Sequence, residues 1–189
     1  MLIGNMYKHF ITITTHRHVV CKLCFKCGLY YQGLTHDLSK YSPTEFINSA
    51  KYYLGYRSPI GQERRTLGYS KIFLHHKGRN KHHFEYWYDP YATNRRISMP
   101  LNYIVESICD RIAASKVYLK DQYTTDAPLN YFYKDVNVTN YMNPDEHEYF
   151  ENYLIYLKEN GEAALLEKMH QDIIEFKKSK NNQHQSAKK

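Results

Sequence analysis

No stretch of this 189-residue chain approaches the roughly twenty apolar residues that cross a bilayer as a helix. Asn5, Lys8 and His9 interrupt the apolar residues of positions 1–10, so no signal-peptide core forms, and the chain is expected in the cytoplasm with no membrane partner. Also missing are a P-loop, a Gly-x-Gly-x-x-Gly turn and a Gly-x-Ser-x-Gly elbow, which counts against kinase, dehydrogenase and esterase chemistry. There is no internal repeat and no convincing strand alternation. Cysteine is scarce: Cys21, Cys24 and Cys27 crowd one segment and Cys109 lies far away, which suits reduced thiols better than a disulfide framework. Cys-x2-Cys-x2-Cys invites an iron–sulfur cluster, but these residues share a helical pattern with Val19, Val20 and Leu23, with no proline and no fourth local thiol. They are expected to be small apolar core fillers.

The net charge of +7 suggests nucleic acid until it is located. Five lysines lie in the tail after Glu175, and without them the body carries +2, so nucleic-acid binding is unsupported and a small substrate is expected. The length fits one well-buried core. A single domain is expected over 1–178, with a motif core at about 7–120 and a C-terminal helical extension at 144–178. Residues 179–189 are polar, without apolar periodicity, and are expected to form a disordered basic tail.

Helix signals dominate. An amphipathic segment from about Tyr7 to Cys27 stops at Gly28; Ser42-Pro43-Thr44-Glu45 combines an N-cap serine, a first-turn proline and a capping-box glutamate, predicting a helix to about Leu54. Gln62–Lys77 predicts a helix with a break at Gly68, and Pro100 opens another to about Lys120, with Ile104, Val105, Ile108 and Ile112 on one side. Thr124–Asn143, rich in Tyr, Asn and Asp and without a period, is expected to be a covering loop. Asn143-Pro144 then starts a helix ending at Gly161, and a last helix follows from about Glu162 to Lys178. Six or seven helices without βαβ alternation predict an all-α fold.

The chemistry concentrates at His36-Asp37, inside Gly33-Leu34-Thr35-His36-Asp37-Leu38-Ser39-Lys40. An imidazole beside a carboxylate offers a neutral nitrogen and an anionic oxygen from one turn, and the two carboxylate oxygens can bridge two ions. His16 lies twenty residues upstream. Asp110, four residues after Glu106 and so on the same helix face, needs a partner among Ile108 and Ile112. His75, His76, His82 and His83 form a block interleaved with Phe84, Tyr86 and Trp87, aromatics that need burial. Within each histidine pair, one is expected to face inward and the other to support it or meet solvent. Spacing alone does not choose, because Gly78 interrupts any helix.

The order His16, His36-Asp37, a histidine group and Asp110 on a helical chain resembles the HD-domain superfamily of metal-dependent phosphohydrolases over about Tyr7 to Lys120. More narrowly, the His36-Asp37-Leu38-Ser39-Lys40 run with His75-His76-Lys77 and Asn80-Lys81-His82-His83-x-Glu85-Tyr86-Trp87 is similar to an uncharacterised family of small bacterial and phage proteins. The superfamily resemblance implies an HD-like helical bundle in which His16, His36, Asp37 and Asp110 bind a first metal, His18 being the alternative to His16. It also implies that Asp37 bridges to a second ion held by His75 or His76 with His82 or His83. The cofactor is then one or two divalent ions, with Mn, Fe, Co, Ni and Zn all compatible with mixed nitrogen and oxygen donors. The expected reaction is hydrolysis of a nucleotide or other small phosphate ester by a metal-activated water, with Lys40, Lys77 and Arg79 suited to the phosphate charge. The alternatives are an HD-type di-iron oxygenase and a non-catalytic binding protein that keeps the metal for stability.

Overall fold

The computed structural model describes residues 2–135 and 138–186 and is built of helices joined by turns and loops; the only strand-like pairing among them is an isolated antiparallel bridge, Tyr88 to Arg96. The fold is all-α. Helix α1 (Leu2–Lys26) is the spine, with its buried stripe at His9, Ile13, His16, Val20 and Leu23, spaced by three or four residues, and at Cys24, four after Val20. Two histidines thus occupy positions that aliphatic residues would otherwise take. The helix stops where Gly28 adopts φ +70, a conformation that costs glycine little.

Helix α2 (Tyr30–Thr35) follows, then the His-Asp turn, a short 3-10 turn at Leu38–Tyr41 and α3 (Pro43–Lys51). Ser42 caps α3 by accepting from the Glu45 backbone N–H at 3.3 Å, as the sequence predicts. The Glu45 carboxylate is not a capping-box acid, however; it points away to the histidine block. Gly68 at φ +79 divides the 59–77 stretch into α4 (Pro59–Leu67) and α5 (Lys71–Lys77). Buried Glu63 fixes α5 by accepting from Ser70 Oγ at 2.6 Å and from the backbone N–H of Ile72 at 3.0 Å.

Helix α6 (Leu101–Leu119) packs along α1, and α9 (Pro144–Ser186) closes the other side of the core. Between them the structure has α7 (Ala127–Lys134) and α8 (Val138–Tyr141), where a covering loop was expected. Leu129 and Phe132, one turn apart in α7, are buried against the core, so tertiary packing supplies what the weak periodicity did not show. Gly161 breaks α9 at φ 82, ψ 171, as its sequence position predicts. The arms fold back together, for the Tyr153 hydroxyl donates to Asp172 Oδ2 at 2.6 Å. The helix runs on to Ser186, through most of the stretch expected to be disordered, because no glycine or proline stops it; 187–189 of the expected tail lie outside the described residues.

Valines, leucines and isoleucines of α1, α6 and α9 form the core with Cys24, Cys27 and Cys109, which are free and fully buried. Among the described residues no cysteine joins a group of converging metal ligands. The N-terminal half of α1 extends beyond this apolar zone and, with Glu106 and Asp110 from the middle of α6, encloses the polar centre.

Candidate metal centre

Each ligand-type side chain is delivered by a different local device. His16 and Arg17 are adjacent on α1. His16 faces inward on the buried stripe, while His18 is exposed, which separates the two candidates. Arg17 reaches the turn itself: its Nε donates to the His36 carbonyl at 2.6 Å and an Nη to the Leu34 carbonyl at 3.0 Å, with the guanidinium 5.1 Å from the Tyr41 ring centroid. Those carbonyls end α2. Asp37 follows in the left-handed region, φ 52, ψ 26, a conformation that costs a non-glycine residue of order 1–3 kcal/mol and that Arg17 holds in place. Asp110 comes from α6, one turn beyond Glu106.

The geometry is convergent. His16 Nε2 is 2.9 Å from Asp110 Oδ1 and 3.7 Å from Asp37 Oδ2; His36 Nε2 is 3.2 Å from Asp37 Oδ2 and 3.6 Å from Asp110 Oδ1. On the other side of the same carboxylate, His76 Nε2 and His82 Nε2 lie 3.2 and 3.5 Å from Asp37 Oδ1. Asp37 thus turns one oxygen to each histidine set. Donor atoms of His16, His36, Asp37 and Asp110 all lie within 4.8 Å of one another, as do those of His76, His82 and His83.

The far sides of the rings are tied to carboxylates. Glu106 Oε1 is 2.8 Å from His36 Nδ1 and 3.2 Å from His82 Nδ1, and Glu45 Oε2 is 2.8 Å from His76 Nδ1. An imidazole that donates Nδ1–H to a carboxylate presents the Nε2 lone pair to the centre, the arrangement that orients metal-binding histidines. His36, His82 and Glu106 also have mutually close donor atoms, but the shared oxygen sits between Nδ1 atoms, which makes this group the support of the two sets rather than a third set.

Whether the donors suit a cation is tested by what they lack. Nε2 of His16, His36, His82 and His83 and Oδ1 of Asp37 are buried and form no hydrogen bond within the protein, while Asp37 Oδ2 meets the Lys40 ammonium. Burying one such group costs about 1–3 kcal/mol, and five aimed at one region would be an unusual loss without a shared partner. The donor set, neutral nitrogens with anionic oxygens, suits a divalent transition ion. Charge balance agrees. Burial pushes the His36 and His76 imidazoles down, yet neighbouring Asp37 and their carboxylate bonds carry both above the ordinary range, His36 well above. Burial raises the Asp37 and Asp110 carboxyls, but the surrounding imidazoles, with Lys40 beside Asp37, hold both well below theirs. The carboxylates therefore favour positive charge at the centre, whether as protons or as a cation that replaces them.

Of the remaining sequence candidates, Lys40 touches Asp37 Oδ2 directly, and Asp37 and Asp110 keep its ammonium charged against the penalty of burial. His75 turns outward, with Nδ1 2.6 Å from Glu45 Oε1, so His76 is the inward member of that pair. Both His82 and His83 turn inward, where one supporting histidine was expected; burial first, then His82 and His76 alongside, push His83 well down, favouring the neutral form. Arg79 is exposed and donates to the His75 carbonyl at 3.2 Å, outside both sets. Of the supporting residues, Glu45, Ser39 and Asn80 stand in the sequence motifs without a role at the centre, and Arg17 stands in none. Asn80 bonds Ser39 Oγ and the His76 carbonyl, each at 2.8 Å, and so staples the loop after α5 to the His-Asp segment.

The chain belongs to a family of unknown function, DUF5662, whose model matches residues 5–155. No curated protein and no solved structure matches it. The matched stretch contains both donor sets and ends within α9, before Gly161.

Proposed function

We propose that this chain is an HD-type phosphohydrolase that works with one or two divalent ions. His16, His36, Asp37 and Asp110 would hold the first, and His76, His82 and His83 the second, with Asp37 shared. When bound, such ions supply a water of lowered pKa and positive charge against the phosphoryl oxygens. The chain's own part is orientation and charge. Glu106 and Glu45 fix the imidazole tautomers, Arg17 fixes the Asp37 turn, and Lys40 is placed at the rim with an ammonium kept charged for an anionic ester. The observation that carries the proposal is the set of four buried, unpartnered imidazole nitrogens around one carboxylate whose two oxygens face opposite histidine sets.

The test is elemental analysis of protein purified without a histidine tag, beside Asp37→Ala, followed by hydrolysis of a general phosphate ester with Mn, Fe, Co, Ni and Zn in turn. One or two ions per chain, with both ions and hydrolysis lost in the variant, is the expected result. Equal metal in both proteins would sink the site. Stoichiometric iron with oxygen uptake and no ester turnover would move the chemistry to oxygenation.

A further inference from the structure

The small net charge of the body hides a separation. Residues 57–96 carry nine lysines and arginines against Glu63, Glu85 and Asp89, a net of +6, whereas 97–176 carry six against fourteen acids, a net of −8. Two large charges cancel in the total. One of the three acids in the basic stretch is turned inward: Glu63 is buried in its bonds to the start of α5. The ion pairs that lysine and arginine make among the described residues belong to Lys40, Lys116 and Lys168, so none of the nine cations is neutralised that way.

This basic stretch is also the one that carries the second histidine set. Lys77 and Arg79 flank the turn after His76, and Lys81 precedes His82. Arg64 lies 4.8 Å from the Phe73 ring centroid, and Phe73 meets His83 edge-on at 5.9 Å. Exposed tyrosines stand among the cations: Tyr91 is 96 % exposed, Tyr56 63 % and Tyr69 47 %. Arg57 lies over the Tyr56 ring at 5.1 Å and Lys81 beside the Tyr86 ring at 5.9 Å. Unpaired cations follow a phosphate backbone, and accessible rings between them stack on unpaired bases, the combination that binds single strands irrespective of sequence.

We propose that the α4–α5 face and the loops on either side of it bind single-stranded nucleic acid alongside the metal centre. Binding of this kind does not depend on hydrolysis, so it stands or falls separately from the phosphohydrolase proposal. Its consequence for that proposal is that the phosphate reaching the centre belongs to a polymer rather than to a free small ester.

The experiment is fluorescence anisotropy of the full chain, with EDTA to prevent cleavage, against labelled mixed-sequence 20-mers of single-stranded RNA, single-stranded DNA and duplex DNA. Four phosphate contacts at about 0.7 each give a log–log salt slope near −3 for single strands, about 50-fold weaker binding from 50 to 200 mM salt. Replacing Arg64, Lys77, Arg79 and Lys81 together with glutamine should weaken binding at least tenfold and flatten that slope. Replacing Lys120, Lys158, Lys178 and Lys180 with glutamine, the same charge change elsewhere, should not. Circular dichroism checks that both variants remain folded. Equal losses in the two variants would show that net charge alone is responsible and overturn the proposal. So would duplex-only binding, no binding at 50 mM salt, or attachment to phosphatidylserine vesicles in place of oligonucleotides.

Discussion

Glu106→Gln is the sharpest test of how the centre is supported. One oxygen of Glu106 serves His36 at 2.8 Å and His82 at 3.2 Å, so a single buried carboxylate aligns one histidine from each set. Glutamine keeps the size and can put its carbonyl where Oε1 stands, preserving both bonds while removing the charge. Hydrogen bonds to charged groups are worth about 1.5–3 kcal/mol and neutral ones about 0.5–1.5, a loss of about 1 kcal/mol per bond and about 2 kcal/mol for the pair. At 1.4 kcal/mol per factor of ten, metal affinity should fall about 30-fold, within the range of about 10- to 100-fold known for outer ligand partners. The assay is chelator competition with Zn at fixed pH on protein stripped of metal, with thermal melts of the stripped forms to separate folding from binding. Affinity within twofold of the unaltered protein, with the fold intact, would refute the orienting role and the two-set arrangement built on it.

Further expectations concern the neighbouring residues and the fold. His76→Gln should lower the metal count by one per chain, while His75→Gln should leave the count unchanged and weaken affinity less than tenfold; elemental analysis showing the reverse would reassign the pair. His9, buried against Phe46 and Tyr53 and with Lys40 nearby, is pushed down to about 4 from an ordinary 6.5, burial being the larger cause. Its folded pKa lies below the unfolded one, so the unfolded chain takes up the proton first and stability is lost as pH falls from about 6.5 towards 4. Between pH 7 and pH 5 the unaltered protein should lose about 2 kcal/mol more than His9→Leu in urea titrations; parallel losses would remove His9 as the cause. Gly161→Ala meets open space, so its cost is conformational, about 1–3 kcal/mol at φ 82, ψ 171, seen as a Tm lower by roughly 2–4 °C per kcal/mol; an unchanged Tm would mean the chain turns without strain there.

Much of the helical layout could be read locally because its punctuation is local chemistry. Gly28, Ser42-Pro43, Gly68, Pro100 and Gly161 each act within a turn of where they stand. Helix α7 escaped because its helicity comes from Leu129 and Phe132 docking on distant elements, and its tyrosines obscure the spacing. At the centre, residue types indicate a cluster that could hold a metal, but not which residues support it. Glu45 looks like a helix cap in Ser42-Pro43-Thr44-Glu45; only the approach of α5, thirty residues later, shows that its carboxylate serves His75 and His76. Glu106 was visibly on the Asp110 face, yet its double bond to His36 and His82 depends on contacts across seventy and twenty-four positions, which periodicity does not encode. For charge too, a sum over the body does not show where its parts lie: +6 over residues 57–96 stands against −8 over 97–176.

Because α1 presents His16 and the Arg17 clamp at consecutive positions, while Val20, Leu23 and Cys24 enter the core further along, one helix sets two alignments at once. Adding a single residue to an α-helix rotates everything beyond it by 100° relative to what precedes it. The interval from His16 to Gly28 therefore has a fixed length: an inserted or deleted codon there would turn either the ligand and clamp or the apolar stripe away from its target. Among the described residues none upstream of His9 is buried, so changes in length there should be tolerated. In α1, spacing along the chain is as much a heritable requirement as the identity of any residue.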